Sequence, residues 1–184
     1  MSDVNNKVNA VLQKKICMLG AFSVGKSSLV TRYVESIFGD KYHTTVGVKI
    51  SKKELTVEEQ EVKLIIWDLA GQDDLTRLRT SYLRGTSGYI LVCDGTRPFS
   101  LKVALNMHKE AREYSGDISF VLIINKFDLQ SSTDWELDQE QLSALEASGI
   151  EVLYTSAKTG DGVDEVFQKL TKKMLQEHNV LENT

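Results

Sequence analysis

The sequence predicts an α/β fold, a mostly parallel sheet with helices on both faces. Five short runs carry that reading: residues 15–20, 62–68, 88–94, 118–125 and 152–155 are continuously apolar, as strands buried on both faces must be. Residues 46–56 differ, because Val46, Val48 and Ile50 alternate with polar neighbours. That run reads as a half-exposed edge strand in an antiparallel hairpin that turns over residues 58–61. Helical spacing fills the intervals between the runs, which gives βα alternation. A sheet of this kind binds ligands beyond the carboxyl ends of its strands.

Leu29, Val30, Tyr33, Val34 and Ile37 fit one face of a first helix. Phe99, Val103, Met107 and Ala111 fit a second. Residues 138–148 form a weaker helical pattern that Gly149 stops. The last helix is the clearest, with Val163, Val166, Phe167, Leu170 and Met174 on one face. No repeat, low-complexity tract or linker divides the chain. The expected organisation is a flexible N-terminal extension at 1–14, one domain at 15–178 and a short C-terminal tail at 179–184.

The 184 residues suit one core. Composition, 41% hydrophobic and 26% charged, is that of a soluble globular chain. A net charge of −4, from 22 basic and 26 acidic side chains, argues against a dedicated nucleic-acid binder. No apolar run approaches the ~20 residues that span a bilayer, and the polar N-terminus lacks a secretory apolar core. Cys17 and Cys93 lie far apart in apolar runs, so buried free thiols in a reducing compartment are expected rather than a disulfide. The expected location is cytoplasmic.

The chemistry begins at Gly20-Ala21-Phe22-Ser23-Val24-Gly25-Lys26-Ser27, which matches G-x-x-x-x-G-K-[ST] between a predicted strand and a predicted helix. Backbone N–H groups of such a turn, with the positive end of the following helix, cradle a β-phosphate. Lys26 is expected to reach the β- and γ-phosphates, and the Ser27 hydroxyl to ligate Mg²⁺. The nucleotide-binding candidates here are Phe22, Ser23, Val24, Gly25, Lys26, Ser27 and Ser28. By itself the motif indicates any nucleoside triphosphate.

Asn125-Lys126-Phe127-Asp128 follows a predicted strand at the ligand edge. An Asp128 carboxylate there accepts from guanine N1–H and the 2-amino group, neither of which adenine offers. Two charged hydrogen bonds of ~1.5–3 kcal/mol each favour guanine by roughly a hundredfold or more. Lys126 would lie along the base, and Asn125 would tie this loop to the phosphate loop. Thr155-Ser156-Ala157-Lys158 follows the last strand. Its Ala157 N–H can meet guanine O6, and Ser156 and Lys158 join the nucleotide-binding candidates.

Trp67-Asp68-Leu69-Ala70-Gly71-Gln72 closes the second long strand. Asp68 suits holding a Mg²⁺-bound water, the Gly71 N–H suits a γ-phosphate oxygen, and Gln72 suits orienting the attacking water. Upstream, one hydroxyl of Thr44-Thr45 can complete the Mg²⁺ shell. Thr45 is preferred because it directly precedes Val46-Gly47, and Thr44 is the competing choice. The candidate catalytic set is Gln72, Lys26, Thr45 and Gly71, and the metal set is Ser27, Thr45 and, through water, Asp68.

From about residue 15 to residue 174 these motifs, in this order, resemble the Ras superfamily of small GTPases, in its Rab/Ras-like branch. Residues 81–88, SYLRGTSG, are similar to the Rab-type YYRGAxG stretch. The resemblance implies a P-loop NTPase (small G-protein) fold, with a six-stranded mostly parallel sheet, one antiparallel edge strand and about five helices. It places Phe38 where an aromatic stacks on the guanine and Tyr42 where a tyrosine closes over the phosphates. It implies slow GTP hydrolysis with Mg²⁺, and segments at about 38–48 and 71–84 that order with GTP and relax on hydrolysis. Expected partners are effector, exchange-factor and activating proteins, met through these segments and the edge strand at 46–57. An activator's arginine can speed such a site by ~10³–10⁵. A monomer is expected. Residues 177–184 carry no prenylation cysteine or polybasic run, and peripheral recruitment to membranes through partners is a further expectation.

Phe22 and Ser23 occupy loop positions where the resembled family usually has small residues, and the bulky Phe22 is the marked departure. It would crowd Gln72 or an incoming arginine, or else turn away against residues 71–84. The first outcome opens an alternative function, a GTP-binding interaction module with negligible hydrolysis. Arg77 and Arg79 read as surface residues, and His43 as a solvent-facing loop residue.

Overall fold

The computed structural model describes residues 10–39, 44–71 and 78–182. Six strands form one sheet in the order β2-β3-β1-β4-β5-β6. They are β1 (Leu12–Leu19), β2 (Val48–Val57), β3 (Gln60–Leu69), β4 (Gly88–Asp94), β5 (Ser119–Asn125) and β6 (Val152–Tyr154). Only the β2–β3 pair is antiparallel. Helices α1 (Lys26–Glu35), α2 (Pro98–Ser115), α3 (Gln139–Ala147) and α4 (Val163–Glu182) flank the sheet. The described residues thus carry four α-helices and two short 3-10 helices, Thr80–Leu83 and Phe127–Leu129, against about five helices expected.

Burial explains the strand pattern. Every residue of β4 is buried, as are Ile16, Cys17, Met18 and Leu19 of β1. Both strands have neighbours on each side and helices on each face, so neither can afford a polar face. Strand β2 is the sheet edge; its side chains alternate between half-buried and exposed from Ser51 to Val57, whereas Val46 and Ile50, expected on the inner face, are exposed. The hairpin turns at Glu58 and Glu59, both left-handed with φ 50° and 68°. Two consecutive positive φ values match the twist of the flanking strands.

Two element boundaries and two apolar residues differ from the sequence reading. Strand β1 begins at Leu12, inside the expected extension at 1–14, because Leu12, Gln13 and Lys14 pair with Val62, Lys63 and Leu64 of β3. Helix α4 runs to Glu182, across the expected boundary with the tail. Two apolar residues assigned to helix faces are exposed. Ile37 lies beyond the α1 cap at Ser36, where φ turns to 57° and the helical period ends. Phe99 sits in the first turn of α2, whose buried face is instead Ser100, Leu101, Val103, Ala104, Met107 and Ala111. Steps of four residues drift around a helix of 3.6 residues per turn, so position 99 leaves the face that 107 and 111 share. Cys17 and Cys93 are buried free thiols. No helix among the described residues is long and apolar enough to cross a membrane.

Candidate functional site

The loop between β1 and α1 is built by close backbone approach. A Cβ on Gly20 would lie 2.3 Å from the Val92 carbonyl oxygen, and one on Gly25 would lie 2.3 Å from Asn125 Nδ2. Gly25 also has φ 99°, a conformation open to glycine at no steric cost. Helix α1 then starts with no side-chain cap and no acidic residue in its first turn. Its leading N–H groups and positive dipole end therefore face the loop with no acidic residue of the helix's own first turn beside them. Lys26 is buried, and its Nζ donates to the Gly20 and Ala21 carbonyls at 3.0 and 2.8 Å.

Phe22, Ser23, Gly25, Lys26, Ser27, Ser28, Thr44, Thr45, Leu69 and Gly71 line one cleft. At its floor Ser27 Oγ donates to Asp68 Oδ2 at 2.5 Å and lies 2.9 Å from Thr45 Oγ1. Asp68 is almost wholly buried, and its Oδ1 has no hydrogen-bond partner among the described residues. Burial pushes its carboxyl up. The Ser27 hydrogen bond, the charges of Lys26 and Lys49 and the Thr45 hydroxyl oppose that shift. Two hydroxyls and a carboxylate with an orphaned oxygen form a hard oxygen set of the kind Mg²⁺ takes. No cluster of three His, Cys, Asp or Glu that could hold a metal occurs among the described residues. Gly71 seals the cleft from the β3 side. A Cβ there would lie 2.4 Å from Phe22 Cα and 2.7 Å from Phe22 N.

A second set of loops meets at the ends of β5 and β6. Asn125 Nδ2 donates to the Val24 carbonyl at 2.9 Å, which ties the β5 end to the phosphate-type loop as the sequence suggested. Asn125 Oδ1 accepts from Thr155 Oγ1 and from Ala157 N, both at 3.2 Å. The Ala157 N–H, expected to face a base, therefore has an acceptor within the protein. Ser156 Oγ donates to Asp128 Oδ1 at 2.7 Å, and Lys158 Nζ lies 4.0 Å from Asp128 Oδ2. Phe38 is half-buried, with the Arg32 guanidinium 5.9 Å from its ring centre. Arg32 Nε in turn donates to the Ala157 carbonyl at 2.9 Å, and Arg32 also donates to the Lys158 carbonyl. Phe38 thus stands beside the loop of Ala157 and Lys158.

The fold therefore brings Lys26, Ser27, Thr45, Asp68 and Gly71 together at one cleft, and Asn125, Lys126, Asp128, Ser156, Ala157 and Lys158 together beside it. Ser28 and Thr44 line the same cleft, so the hydroxyl closest to Ser27 is the one distance that separates Thr45 from its neighbour. Phe22 is partly exposed, on both this cleft and a groove with Arg97, Pro98 and Phe99. Tyr42, His43, Gln72 and Arg77 lie outside the described residues. Arg79 is exposed.

Three charged residues at these loops escaped the sequence reading. Arg32 is one. Asp94 and Arg97 are the others: Lys126 Nζ lies 2.6 Å and Arg97 Nε 3.4 Å from the buried Asp94 Oδ2. The available signal was Asp94 itself, an acid closing an otherwise apolar strand at the sheet's ligand edge.

Comparison with known proteins agrees with the geometry. The Ras family model matches residues 15–176. Over 176 residues the chain is 35% identical to "Ras-related protein Rab-21" of Geodia cydonium, covering 95% of this chain and 76% of that protein. It is 38% identical over 163 residues to "Ras-related protein Rab-21" of Mus musculus, covering 88% and 73%. Against "Ras-related protein Rab-4" of Dictyostelium discoideum the identity is 34% over 168 residues, covering 88% and 78%. The chain belongs to the Ras family and is a Rab-like small GTPase.

Proposed function

We propose that this GTPase works as a Mg²⁺-dependent switch, with the cleft at Ser27, Thr45 and Asp68 as its hydrolytic end and Asp128 as its base reader. The observation that carries the reading is the Ser27–Thr45–Asp68 cluster with its orphaned Asp68 oxygen, set against the uncapped start of α1. Ser27, Thr45 and, through water, Asp68 would hold Mg²⁺, which supplies positive charge to the phosphate oxygens when bound. Backbone N–H groups from Phe22 to Ser28 bind and orient the phosphates. Lys26 exchanges its carbonyl partners for phosphate oxygens, and the Gly71 N–H adds a donor to the γ-phosphate. Gln72 orients the attacking water. Asp128 accepts from the guanine edge, Lys126 and Phe38 flank the ring, and Ser156, Ala157 and Lys158 close the site around it. Tyr42 covers the phosphates.

Output follows from the γ-phosphate. Residues 38–48 and 71–84 order when it is present and relax when it leaves. Effector, exchange-factor and activating proteins read those segments and the edge strand, with the chain acting as a cytoplasmic monomer recruited to membranes by partners. Phe22 sets the pace, since its partly exposed ring borders the cleft that an activator's arginine must enter.

Single-turnover hydrolysis of bound GTP tests the reading. GDP should appear slowly, only with Mg²⁺, and faster in Phe22→Gly when an arginine-donating activator is present. Absence of GDP over many hours in both proteins would leave a binding module rather than a switch.

A further inference from the structure

Asp94 closes β4 directly beside Asn125 of β5 and is fully buried. Its two carboxylate oxygens are held differently, Oδ1 by hydrogen bonds and Oδ2 by ion pairs without a formed hydrogen bond. Oδ1 accepts from Thr96 N at 3.0 Å and from Thr96 Oγ1 at 2.7 Å. Oδ2 faces two cations, Lys126 Nζ at 2.6 Å and Arg97 Nε at 3.4 Å. The same Arg97 guanidinium reaches further, since its Nη2 donates to the Phe22 carbonyl at 2.6 Å. One planar side chain therefore joins the buried acid to the crest of the phosphate-type loop, while Lys126 joins that acid to the base-side loop. The turn that carries these groups is itself fixed. Gly95 N donates to the Asn125 carbonyl at 3.1 Å, and a Cβ on Gly95 would lie 2.0 Å from the Trp135 ring.

We propose that Asp94 and Arg97 are positioning residues for the bound guanine nucleotide: together they lock Lys126 and the Phe22 carbonyl into one rigid unit, and so hold the nucleotide against release. The proposal rests on the reading that Lys126 and the phosphate-type loop contact the nucleotide. A buried carboxylate with both oxygens engaged has no freedom to reorient, so the two cations it holds inherit its position. Arg97 serves Asp94 from Nε and the Phe22 carbonyl from Nη2, two donors held apart in one plane, and the one nitrogen of a lysine cannot occupy both positions. With two cations on one carboxylate, the unit also keeps surplus positive charge beside the polyphosphate.

The test is release of a fluorescent GDP analogue from the full chain, chased with excess GDP in Mg²⁺. The Arg97 side chain is 43% exposed, so its replacement spares the core. Arg97→Ala should speed release about tenfold, the scale of one lost charged hydrogen bond, while the melting temperature of the nucleotide-free protein stays unchanged. Arg97→Lys should fail to restore slow release. Asp94→Asn should speed release further, and combining it with Arg97→Ala should add nothing, since both remove one linkage. Release from Arg97→Ala within twofold of the unaltered chain overturns the proposal, and so does full rescue by Arg97→Lys. Asp128→Asn separates this from the base-site reading. If that variant binds GDP undiminished, the base assignment fails, whereas the Arg97 variants still report on the phosphate-loop linkage.

Discussion

At the scale of single residues, the burial of Asp68 opposes the charged form of its carboxyl. Its carboxyl is raised from its ordinary value because desolvation outweighs the Ser27 hydrogen bond, the Lys26 and Lys49 charges and the Thr45 hydroxyl. A carboxyl raised in the folded state binds its proton more tightly folded than unfolded. In the metal-free chain the buried Asp68 carboxyl therefore costs stability at neutral pH, and that cost is relieved as pH falls through the folded value. Asp68→Asn should raise the melting temperature of the nucleotide- and metal-free chain at pH 7 and abolish the further rise given by Mg²⁺ with GDP. A lower melting temperature in the metal-free variant would contradict this account. Gly71 is constrained by space rather than charge. A Cβ built there would meet Phe22 Cα at 2.4 Å, and that backbone cannot rotate aside as a side chain would. Gly71→Ala should therefore push the β3 end from the phosphate-type loop and slow single-turnover hydrolysis by roughly a hundredfold, the cost of one misplaced donor.

At the scale of elements, the helix that bears Lys26 and Ser27 is held from behind. Phe167 of α4 is buried and stacks on Tyr33 of α1, with ring centres 3.8 Å apart and planes within 4°. Phe167→Ala should cost about 3–5 kcal/mol in chemical denaturation, and faster nucleotide release should accompany it. These elements were largely legible, since β4 and the apolar face of α4 follow from local burial and spacing alone. Phe99 and Ile37 were misread because an apolar residue at a helix end satisfies the spacing without reaching the core. The site was legible where backbone chemistry demands fixed spacing, as from Gly20 to Ser27. It was illegible where side chains meet across the fold. Arg97 and Phe22 are 75 positions apart, and Arg32 and Ala157 are 125 apart, so no local pattern marks either pair.

At the scale of the whole molecule, the sheet order explains why the site lies where it does. Strand β1 stands between β3 and β4, so the chain winds away from it in both directions. Loops after β1, β3, β4, β5 and β6 then converge at the carboxyl edge, where the winding reverses. The central sheet is rigid and apolar, whereas the candidate contacts to a γ-phosphate come from residues 44–45 and 71 at its margin. A switch built this way should change at the margin and leave the sheet as it was. Amide hydrogen exchange on the chain loaded with a non-hydrolysable GTP analogue, compared with the GDP-loaded chain, measures that directly. The account predicts slower exchange with the analogue across residues 38–48 and 71–84, and equal exchange in β4, β5 and α4. Equal exchange in those two segments under both nucleotides would contradict it.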